Sequence, residues 1–80
     1  MARFYFHLED NGSLVEDPEG TDLPDLGAAR QEAVLAAREL LIWTIKMGKR
    51  QVPEAVVIAD EAGQTLEVLP LASVLPDSLR

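Results

Sequence analysis

The sequence predicts an α+β fold of two layers: one long helix packed on a four-stranded, mainly antiparallel sheet, in a ββαββ order. Three observations predict it. Residues 3–8 and 65–69 alternate in polarity with the period of a half-buried strand, and residues 55–59 are apolar throughout, as in a central strand. Residues 26–47 instead repeat with the period of a helix. Asn11-Gly12 and Gly63 then mark tight turns that make one hairpin on each side of the helix.

The first strand, 3–8, is aromatic and alternating. Phe4, Phe6 and Leu8 are predicted to face the helix, and Arg3, Tyr5 and His7 to face the other way. Residues 13–16 return as a short strand whose polar composition places it at a sheet edge. Residues 17–24, punctuated by Pro18 and Gly20, read as a loop.

The helix has both of its end signals. Asp25 is the predicted N-cap, because its carboxylate can accept from the free N–H groups of the first turn and meets the positive end of the dipole. Gly48 is the predicted C-cap, and Lys46, Lys49 and Arg50 suit the negative end. At 100° per residue, Leu26, Ala29, Ala33, Ala36, Ala37, Leu40, Thr44 and Met47 share one face. Four alanines on that face allow close approach to a sheet. Leu35 and Ile42 lie on the opposite, polar face, and Val34, Leu41, Ile45 and Trp43 flank the stripe. A helix covering one small sheet needs less apolar surface than this.

The last hairpin comprises strands at 55–59 and 65–69. In the second of these, Leu66 and Val68 are predicted to point inward, and Thr65 and Glu67 outward. Residues 71–75 read as a helical turn on the core, and 76–80 as a fraying end. The first and third strands are the most hydrophobic, which favours strand order 2-1-3-4; order 2-1-4-3, with a parallel central pair, is the alternative.

Eighty residues make one domain, 1–80. With no cysteine, neither a disulfide nor a thiolate site is available, as suits a reducing cytoplasm. Residues 1–8 are too short, and too interrupted by Arg3 and His7, for a secretory signal, and no apolar run is long enough for a membrane span. Seven basic residues stand against 14 acidic ones, a net charge of −7. That balance argues against direct nucleic-acid binding, which rests on neutralising phosphates.

Candidate chemistry is sparse. Glu9, Asp10, Glu16, Asp17, Glu19, Asp22 and Asp25 form an acidic segment, but the spacing does not match a calcium loop. A solvated hairpin and a helix cap account for it, so no metal or cofactor is expected. His7 is the only histidine and has no nucleophile partner, and Ser13 and Ser73 lie in no catalytic motif. The glycines form no phosphate-binding loop. The expectation is therefore a chain that is not an enzyme.

The opening Arg3-Phe4-Tyr5-Phe6-His7, the segment 17–25 with its Glu-Gly-x-x-Leu-Pro-Asp motif, the run 28–33 and the stretch 58–63 carry a further signal. Together they resemble a family of short bacterial proteins classified only as a domain of unknown function. The resemblance covers nearly the whole length. It implies a bacterial, cytoplasmic protein and brings no catalytic residues with it.

What remains is interaction. The leading expectation is a small non-enzymatic module that forms a homodimer, through Leu35 and Ile42 on the helix or through Tyr5 and His7 on the outer sheet face. A small-ligand or metal-binding regulator using segment 9–25, and an antitoxin-like acidic partner of a basic protein, are the alternatives.

Overall fold

The computed structural model describes residues 1–76. It contains β1 (Ala2–Asp10), β2 (Ser13–Val15), β3 (Thr21–Leu23), α1 (Leu26–Lys46), β4 (Ala55–Ala59) and β5 (Thr65–Pro70), followed by a 3₁₀ turn at Leu71–Val74. One helix packs on an antiparallel sheet, as expected. The fraying predicted for 76–80 concerns, beyond Pro76, residues outside those described.

The sheet has five strands rather than four, which corrects the ββαββ description. Its path is β2-β1-β4-β5, with β3 also paired to β1, and every pairing is antiparallel. The order with a parallel central pair is therefore excluded. The added strand, β3, lies in what reads as a loop. It and β2 flank a detour along a single edge of β1. Leu8 faces Val15 and Phe4 faces Thr21, so four steps of β1 correspond to six of the returning chain. The two extra residues bulge out between the two short strands.

The helix sits close to the sheet because its inner stripe is small. Ala29, Ala33 and Ala37 are fully buried against Phe4, Val56 and Ile58, with Leu41 and Leu71 completing the core. All five residues of β4 are buried, as befits a strand with neighbours on both edges. Thr44 is buried too, and its hydroxyl donates to the Leu40 carbonyl at 2.7 Å. Two residues of the predicted stripe differ. Leu41, expected at its flank, is in the core, while Met47 is 60 % exposed because it follows the last helical turn.

A second correction concerns β5. Ile58 faces Glu67 but Ala59 faces Thr65, so one step of β4 matches two of β5. This one-residue bulge inverts the remainder of the strand. Leu69 packs on the core and Val68 lies opposite Val57, on the face away from the helix. Glu67 points to the helix side, where it accepts from Arg30 Nε at 2.7 Å.

Candidate functional site

Two surfaces collect the side chains singled out in the sequence, and they lie on opposite sides of the molecule. The first is the outer face of α1. Asp25 starts the helix, with its Oδ1 accepting from Ala28 N–H at 2.8 Å. Gly48, at φ +68°, ends it: Gly48 N–H donates to Ile45 and Lys49 N–H to Thr44. This left-handed ending is open to glycine at little steric cost. Between these caps the alanine stripe fixes which face meets the sheet, and so turns Leu35 and Ile42 outward, 52 % and 57 % exposed. Trp43 and Ile45 extend the exposed apolar surface on either flank, and Lys49 Nζ sits 5.4 Å from the Trp43 ring centre.

The second surface is the sheet face away from the helix. Alternation along β1 brings Tyr5 and His7 together there, their rings stacked with centres 6.2 Å apart and planes 20° apart. They join Val57, Ala59 and Val68 in a shallow open groove of about 610 Å³. Its rim carries Glu9, Glu16, Asp60 and Glu61, and among the described residues no Lys or Arg lines it.

One residue matters more than its place in an acidic run reveals. Asp17 fills the gap between β2 and β3. Its carboxylate accepts the N–H groups of Phe6, Glu19 and Gly20, and its own N–H donates to His7 Nδ1 at 2.9 Å. The neutral His7 ring accordingly carries its proton on Nε2. Burial pushes the Asp17 carboxyl up, but the backbone bonds from Phe6, Gly20 and Glu19 outweigh it and hold the group below the usual carboxylate value. A signal for this role existed in the sequence: an Asp followed by Pro and, two residues later, Gly is a side-chain-stabilised turn. Nothing in it named Phe6 as a partner.

The rest of the acidic segment disperses. Arg3 Nε and Nη2 donate to the two carboxylate oxygens of Asp22, and Nη1 donates to the Glu19 carbonyl. Asp25 is committed to its helix. Among the described residues, no three His, Asp or Glu side chains converge in a way that would hold a metal ion. No described helix is long and apolar enough to cross a membrane.

A family model described as a domain of unknown function, DUF6894, matches residues 3–72. No curated protein and no solved structure matches the chain.

Proposed function

The chain belongs to the DUF6894 family, and from that premise we propose that it is a small, non-enzymatic interaction module that works as a homodimer. The supporting observation is the outer face of α1. A helix whose sheet contact is already complete through alanines still displays Leu35, Ile42, Trp43 and Ile45, each at least half exposed. Full burial of Leu35 or Ile42 contributes about 1.5–3 kcal/mol per side chain, and their partial exposure leaves roughly half of that to gain on pairing. A two-fold pair counts each gain twice, and closed two-fold symmetry is the commonest form of soluble oligomer. The resemblance and the cysteine-free composition support a bacterial, cytoplasmic setting for the module.

Light scattering on the purified protein at tens of micromolar tests this. The expected result is a dimer mass that strengthens with salt, because each chain carries a net charge of −7. A monomer mass at both low and high salt overturns it. A dimer that survives Leu35→Glu with Ile42→Glu moves the contact to the sheet.

A second reading has the outer groove in its favour. An apolar floor with Tyr5 and His7, rimmed by carboxylates and with no Lys or Arg among its described lining residues, suits a basic segment of another protein, as an antitoxin-like role requires. Ligand or metal binding by segment 9–25 has less support, because Asp17, Asp22 and Asp25 spend their oxygens on the chain itself.

A further inference from the structure

The exposed helix face carries a charge pattern as well as an apolar one, and the pattern is self-complementary. Glu39 and Lys46 lie on the same flank of Ile42, one turn to either side of it. Both are exposed, and neither forms an ion pair among the described residues. On the other flank Arg38 precedes Ile42 and Ile45 follows it, both exposed.

In an antiparallel helix pair related by a two-fold axis, like flanks face each other. If the axis crosses at Ile42, the residue before it on one helix meets the residue after it on the other. Glu39 then faces the partner's Lys46, and by symmetry the contact occurs twice. On the opposite flank, the aliphatic stem of Arg38 covers the partner's Ile45. Moving the axis half a heptad back, between Arg38 and Glu39, sets Glu39 against the partner's Glu39 and Arg38 against the partner's Arg38 at the centre of the contact, and keeps opposite charges together only at its ends, where Glu32 meets the partner's Lys46. A parallel pair instead sets Glu39 against the partner's Arg38, but it also aligns the two dipoles and brings two basic C-terminal ends together, each with Lys46, Lys49 and Arg50.

From this we infer that the partner of the helix face is a second copy of the same chain, docked antiparallel across Ile42 with paired Glu39–Lys46 contacts. The inference rests on the homodimer reading and specifies its geometry.

A charge-exchange experiment by sedimentation or light scattering tests it. Glu39→Lys and Lys46→Glu each turn two attractive contacts into two repulsive ones, and each alone raises the dissociation constant roughly tenfold or more. Mixing the two variants restores both contacts in a 1:1 heterodimer. Far-UV circular dichroism confirms that each variant keeps its helix. The expected result is loss of dimer in each variant and recovery in the mixture. If Glu39→Lys is rescued by Arg38→Glu chains instead, the antiparallel arrangement is overturned. If neither substitution weakens a wild-type dimer, the contact lies elsewhere. A wild-type monomer removes the homodimer reading itself, an outcome distinct from both.

Discussion

The two hairpins that flank the helix are held in different ways. β4 and β5 rest on burial: every residue of β4 is buried, and Ile58 is entirely removed from solvent. β2 and β3 are largely exposed, and they stay on the edge of β1 through specific polar bonds. Asp17 supplies what an uninterrupted ladder would have supplied to Phe6, and the Arg3 fork on Asp22 ties down β3. Burial depends little on pH or salt. Charged hydrogen bonds depend on both, so the two halves of one small sheet should respond differently to solution conditions.

The largest effect should come from the apolar half. Ile58→Ala removes a fully buried side chain from between β1, β5 and the alanine stripe, and should cost about 2–5 kcal/mol in urea denaturation, with a loss independent of pH between neutral and mildly acidic conditions. A loss under about 1 kcal/mol would mean that the close-set helix collapses into the space.

Asp17→Ala comes next, at about 1–3 kcal/mol, because it strips the acceptor from three backbone N–H groups, including the half-buried Phe6. Its signature is acid dependence. The folded-state value of this carboxyl lies below its unfolded value, so its contribution is complete above the unfolded value and disappears as pH falls through the folded one. Stability curves of wild type and Asp17→Asn should therefore converge in acid. Parallel curves would show that the charge contributes nothing.

The smallest effect belongs to the Arg3–Asp22 pair at 3.0 Å, both side chains about half exposed. Asp22→Ala should leave global stability almost unchanged, and salt should erode what difference there is. An amide-exchange measurement on β3 reads this better than global unfolding, since opening there is local.

How far the sequence foretold these halves follows from the same contrast. β4 announces itself by composition, and α1 by its caps, because burial and capping leave local marks at Val56–Ile58, Asp25 and Gly48. β3 leaves none. Its pairing depends on Arg3 reaching Asp22 and on Asp17 reaching Phe6, contacts between residues distant in the chain. The facing of β5 was equally hidden: one extra residue beside Leu66 is invisible to a period-two count, yet it exchanges Glu67 and Val68 between the two faces. On the helix, the angle around α1 was enough to place Leu35 and Ile42 on the exposed face. The groove beside Tyr5 and His7 was only partly foreseeable, since Val68 reaches it through the bulge.

The detour at Asp17 also bears on what happens when many copies of the chain share a crowded solution. A flat sheet edge is a template on which further strands can add without limit. Here one outer edge is split into two three-residue strands, with a carboxylate occupying the N–H of Phe6 between them. The opposite edge is kinked by the bulge and ends at Pro70, which has no N–H to offer. Neither rim presents a long run of free, evenly spaced donors and acceptors. Open-ended stacking into fibres is thereby discouraged at both margins, so that the surface this chain offers a neighbour is made of side chains rather than backbone.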